Sequence, residues 1–110
     1  MNAKHCVPCE GGILPLSKDD ITAKLLAVPL WRVEDQHLRR DWRFSSFVAA
    51  IAAVNKVATL SEQENHHPDI IINYNQMRLE LWTHAIGGLS ENDFVLAGLI
   101  DELLDLTIGL

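Results

Sequence analysis

The spacing of apolar residues along this chain changes period several times, and each change marks an element. Behind Ser17, the residues Ile21, Leu25 and Leu26 share one helical face, which predicts a helix over 18–27. Ser17 caps it with Asp20 as its capping-box partner, and Val28-Pro29 ends it. Leu30 to Glu34 alternates weakly and reads as a strand. Asp35-Gln36-His37 turns the chain. Leu38, Trp42 and Phe44 then fall on one side of an alternating pattern, a second strand and so a hairpin. From Ser45 or Ser46 the period lengthens again: Phe47, Ile51, Val54, Ala58 and Leu60 predict a helix to about Gln63. Ala49, Ala50, Ala52 and Ala53 give it high propensity and a narrow face suited to close helix packing. Pro68 stops it. Asp69–Tyr74 carries three isoleucines and reads as a third strand. After a turn at Asn75-Gln76, Met77, Leu79 and Leu81 alternate with Arg78 and Glu80 in a half-buried fourth strand. Gly87-Gly88 breaks the chain. Ser90 with Asp93 forms a second capping box, opening a helix to about Leu106 along Leu96, Leu99, Ile100 and Leu103.

The order is α-β-β-α-β-β-α. Tight hairpins pair strands antiparallel. The expected fold class is therefore α+β, a four-stranded antiparallel sheet with helices packed on one face. With 110 residues, 48% of them hydrophobic, the chain suits one domain with a real core and some apolar surface left for a subunit interface. We expect an N-terminal arm over residues 1–16, containing Pro8 and Pro15, and a single domain over 17–110.

Charge narrows the functional classes. The formal net charge is −6 and no basic run extends beyond Arg39-Arg40, so nucleic acid is a poor partner. No apolar run approaches the ~20 residues of a membrane span, and the first residues show no apolar export segment, so the expected location is cytoplasmic. Cys6 and Cys9 form a lone C-x-x-C in the arm. With at most His5 added, they fall short of four zinc ligands, and a loosely packed arm is the simpler reading.

Three of the five histidines fall in one window: His66, His67 and His84. An imidazole, with an unperturbed pKa of about 6.5, both gives and takes protons near neutrality. Glu62 precedes His66 by four residues, so on a persisting helix the two share a face, and a carboxylate on one ring nitrogen fixes the tautomer and raises the basicity of the other. The alternative is a surface pair worth a few tenths of a kcal/mol. His66 and His67, as neighbours, point apart and take different roles. If the third and fourth strands form a hairpin, His67 before the first and His84 after the second meet at one sheet end. Zinc is the rival use of the same residues, although H-H-P…H matches no common zinc spacing. Asp93 is explained by its cap, with a site role open to it. Trp31, Trp42 and Trp82 can wall an aromatic ligand, but at least two suit the core better. His5 and His37 read as solvent-exposed.

Glu62-x-x-Asn65-His66-His67-Pro68-Asp69, Tyr74-Asn75, Leu81-x-Thr83-His84 and Gly88-Leu89-Ser90-x-x-Asp93, continued by Leu96-Ala97 and Ile100-Asp101, resemble the pterin-4a-carbinolamine dehydratase signature. The likeness runs from about Leu16 to Leu104. It implies an α+β fold and dehydration of a 4a-hydroxytetrahydropterin to the quinonoid dihydropterin, with no metal or organic cofactor. It also implies homodimers or homotetramers and work beside a pterin-dependent aromatic amino acid hydroxylase. By resemblance, His67 and His84 are the acid/base pair, His66 positions substrate or shares the proton traffic, Glu62 orients an imidazole and Asp93 supports the site. Two positions depart from the pattern. Ile70 stands where an aromatic residue is common, which reshapes a pocket wall, and Ala85 stands where an acid is common. A non-catalytic role as a dimerisation partner or coactivator, known in relatives, is the competing function. A metal-dependent enzyme is a third.

Overall fold

The computed structural model describes residues 14–108, with side chains through residue 105. Cys6, Cys9 and His5 lie outside the described residues. Eight elements follow in chain order: α1 (Lys18–Leu25), β1 (Arg32–Glu34), β2 (His37–Arg43), α2 (Phe47–Glu64), β3 (Asp69–Asn73), β4 (Gln76–Leu81), a 3-10 turn (His84–Ile86) and α3 (Glu91–Ile108). The strands form one sheet in the order β1-β2-β4-β3, antiparallel throughout. This is the expected α+β architecture.

The first hairpin turns one residue tighter than the sequence pattern predicts, and the second turns one residue earlier. Asp35 and Gln36, with φ of 53° and 63°, make a two-residue turn, so His37 belongs to β2 and not to the turn. Positive φ at both central positions matches the twist of the flanking strands. In the second, Tyr74, with φ 54°, leaves β3 and turns the chain with Asn75, so that Gln76 joins β4; the side chain and carbonyl of Asn75 both bond Phe44.

Alternation along the strands divides the sheet into two faces. Leu38, Met77, Leu79 and Leu81 point to the helices. There they meet Ala50, Ala53 and Val57 of α2 and Leu96, Ala97, Ile100 and Leu104 of α3 in one buried cluster. Trp31 and Trp42 join this core edge to face at 5.7 Å. Arg40, also buried, lies 4.3 Å over the Trp42 ring and pairs with Asp101 of α3, tying sheet to helix. Burial pushes the Asp101 carboxyl up, against the Trp31 N–H and the Arg40 guanidinium, which pull it down.

The other face of the sheet is polar. Arg32 bridges Glu34 and Asp41, Arg39 bridges Glu34 and Glu80, and Arg78 reaches Asp41. His37 and Glu80 belong to the same lattice at 3.0 Å. Among the described residues no helix is long and apolar enough to cross a membrane.

Candidate active site

The first histidines are placed by the end of α2. Asn65 takes a left-handed conformation, φ 52°, and the His66 N–H returns to the Ser61 carbonyl at 3.2 Å. Asparagine tolerates this conformation, and the returning bond closes the helix in the manner of a Schellman cap. The helix therefore ends at Glu64, two residues before His66, and the face-sharing expected of Glu62 and His66 does not occur. Glu62 pairs with His67 instead, Oε2 to Nε2 at 2.6 Å. Both groups are well exposed. His66 turns inward, its side chain 11% exposed against 54% for His67.

Inside, His66 Nε2 lies 2.7 Å from Asp93 Oδ1. Asp93 is 0% exposed, and its second oxygen accepts from the Ser90 N–H and the Thr83 hydroxyl, each at 2.9 Å. The carboxylate is thus both the helix cap and the partner of a histidine. Cap and site are one group. The Ser90 hydroxyl, which the capping-box reading assigns to the helix, bonds the Thr83 hydroxyl at 2.7 Å. A buried carboxylate bonded by the Ser90 N–H and the Thr83 hydroxyl is held in one geometry, and it holds the imidazole in turn.

His84 opens the 3-10 turn after β4. The Thr83 N–H bonds the Gly88 carbonyl at 2.8 Å, closing a short loop in which Gly87 adopts φ 64°. β3 pairs Asp69 with Glu80, so His67 and His84 stand at the same end of the β3–β4 hairpin. The His84 ring stacks on Trp82 at 3.8 Å and 20°. Trp82 stacks also on His37, at 4.7 Å and 12°.

His37 is thus not the free surface residue expected. It is half-buried, and Glu80 at its Nδ1 is held well below the usual carboxylate range, chiefly by that hydrogen bond and then by Arg39. The sequence pattern read Ser90 as a helix cap and Thr83 as part of the family motif, and gave neither hydroxyl a place beside the histidines. Only their place beside His84 and before Asp93 marks them. The signal for His37 lay in the strand alternation, which puts it on the face of Arg39 and Glu80 once the turn is two residues long. Trp31 and Trp42 are core residues, as expected, and Trp82 is the one left beside the histidines. Among the described residues no three His, Cys, Asp or Glu side chains are grouped to hold a metal ion. Ile70, opposite Leu79 on the edge strand, is 36% exposed, and Ala85 is exposed.

Comparison with known proteins assigns the family. The family described as pterin 4 alpha carbinolamine dehydratase matches residues 14–103. The chain belongs to that family. A protein of Dechloromonas aromatica, provisionally named pterin-4-alpha-carbinolamine dehydratase, is 44% identical over 103 residues, covering 94% of this chain and 92% of its own. One of Nitrosomonas eutropha with the same name is 46% identical, covering 92% and 90%. Among solved structures, a transcriptional coactivator/pterin dehydratase from Brucella melitensis superposes with a TM-score of 0.76 at 25% identity, over 81% of this chain and 97% of its own. The fold of that pterin dehydratase is therefore shared over 81% of this chain.

Proposed function

We propose that this protein dehydrates a 4a-hydroxytetrahydropterin to the quinonoid dihydropterin by histidine acid/base catalysis. The observation that carries this reading is the placement of His67 and His84 at one end of the β3–β4 hairpin in a chain of the dehydratase family. Loss of water needs an acid at the departing hydroxyl and a base at the ring N–H. As the C4a–O bond breaks, the acid's proton leaves with the oxygen as water. The base takes the N–H proton, and that bond's electron pair becomes the new C=N bond. Imidazoles serve both ends near neutral pH, each step being worth about 10²–10⁴-fold. His67 and His84 are the acid/base pair in this reading. Glu62 sets the tautomer of His67, while His66, locked by Asp93, positions substrate or shares the proton traffic. No metal or organic cofactor takes part, and the pterin is supplied by an aromatic amino acid hydroxylase in the cytoplasm. The alanine-rich α2 and the exposed Phe47 and Val48 suit a homodimer or homotetramer.

A stopped-flow assay of 4a-hydroxytetrahydropterin loss, with substrate made in place by a hydroxylase, tests the reading. Acceleration by catalytic amounts of protein, lost in His67→Ala and His84→Ala, is the expected result. Unchanged rates in both folded variants would sink it. The name of the Brucella melitensis structure favours a second reading, a protein-binding coactivator role on the same fold. Partner capture that survives the histidine substitutions in a protein without dehydratase activity would support that reading.

A further inference from the structure

Two of the three site histidines end on a carboxylate, His66 on Asp93 and His67 on Glu62. Among the described residues His84 has no such partner. Its ring is solvent-facing, at the start of a short loop, and what holds it is the face of Trp82. Trp82 in turn has a buried Nε1 with no hydrogen-bond partner among the described residues, so no polar contact fixes the indole. The ring that packs parallel to it is His37, from the neighbouring strand β2. His37 is fastened: Glu80 Oε1 lies 3.0 Å from its Nδ1, and Glu80 Oε2 is gripped by Arg39 at 3.2 Å.

We propose that His37 is a positioning residue for His84, acting through the Trp82 indole, so that Glu80 serves the third imidazole at second hand as Asp93 and Glu62 serve the other two. The role in turnover rests on the dehydratase reading above; the positioning itself does not. An imidazole free to rotate about two bonds spends little time aimed at a reacting atom, and stacking on a fixed plate removes that freedom. Trp82 supplies the plate. His37, pinned by an ionised carboxylate at the sheet surface, keeps the plate from turning. The register that makes this possible is Leu38 opposite Leu81, which brings the flanking His37 and Trp82 side by side on the polar face.

The test uses His37→Ala, which removes the ring, and His37→Phe, which keeps a stacking ring but gives up the Glu80 bond. Both leave Arg39 on Glu80, so the sheet surface keeps an ion pair. Aromatic NMR reports the stack without reference to activity, since the Trp82 ring current shifts the His84 ring protons upfield. In His37→Ala that upfield shift is expected to collapse toward the value of a free imidazole, and in His37→Phe to persist in part. A His84 shift unchanged in His37→Ala overturns the proposal. In the dehydration assay, His37→Ala should lower kcat about tenfold with KM little changed, and His37→Phe should recover much of the loss. In a His84→Ala background the His37→Ala change should cost nothing further. An equal loss in that background overturns the link to His84. Should His84→Ala itself turn over at the wild-type rate, the dehydratase role of His84 fails, while the NMR shift still decides whether His37 positions its ring.

Discussion

Asp93 and His67 show how differently two residues of one site answer to the loss of their side-chain chemistry. Asp93 is fully buried and spends its two oxygens on His66, the Ser90 N–H and the Thr83 hydroxyl. Replacing it by Asn keeps the shape but leaves one of those oxygens as an amide donor facing other donors. Hydrogen bonds to charged groups contribute about 1.5–3 kcal/mol each, and a buried group left unpaired loses a similar amount. Asp93→Asn should therefore lower unfolding stability by about 2–3 kcal/mol in urea and slow turnover through a loosened His66. Unfolding at the wild-type urea concentration would show that the network does not hold the helix start. His67 is exposed, and its partner Glu62 more so. His67→Ala should leave stability within about 0.5 kcal/mol while turnover falls about 10²-fold or more. A matched loss of stability and activity would mean that His67 is structural.

Element ends decide where these side chains point. Ser46 caps α2, its hydroxyl accepting from the Ala49 N–H at 3.1 Å, and Ser46→Ala should cost about 1 kcal/mol by thermal or urea unfolding. The loop behind His84 depends on Gly87 at φ 64°, where an added Cβ would meet no atom within 4 Å. The cost of Gly87→Ala is then conformational alone, about 1 kcal/mol, and Gly87→Asn should recover part of it because asparagine tolerates the left-handed region. Equal stability of the Ala and Asn variants would contradict this. These ends are also where the sequence was hardest to read. Periodicity and turn residues located all three α-helices and all four strands, most plainly β4, whose apolar residues repeat on one buried face. Periodicity could not find the 3-10 turn at His84, which is too short to have a period. Nor could it count the turn at Asp35-Gln36, which carries no glycine or asparagine to mark positive φ. The pairing of Glu62 with His66 failed for a related reason. It extended helical spacing past Asn65, the residue whose left-handed backbone ends the helix and swings His66 inward and His67 out.

At the scale of the whole molecule, the sheet separates two electrostatic regimes, and pH should distinguish them. On the polar face Glu34, Asp41 and Glu80 are each held below their ordinary carboxylate values by arginines or by His37. Between the ordinary and the lowered value the unfolded chain binds more protons than the folded one, so this contribution is full above about pH 4.5 and is lost as pH falls through the folded values. Asp101, between sheet and α3, runs the other way. Burial raises its carboxyl above the ordinary 3.8, so the folded chain binds the extra proton and its contribution declines as pH rises through that window. Among the described residues, three lowered carboxyls against one raised predict a net loss of stability on acidification from about pH 5 to 3, read as a falling urea midpoint. Glu80→Gln should make that fall shallower, and Asp101→Asn should make it steeper, because it removes a group whose contribution grows on acidification. The exposed part of the lattice should fade in molar salt, where the screening length shrinks to about 3 Å, while the Asp101 effect persists behind its wall of Trp31 and Arg40. A Glu80→Gln slope identical to wild type would mean that the ion pairs of the polar face do not couple to folding. Glu80 would then still be free to hold His37, and through it Trp82, without stabilising the sheet that carries them.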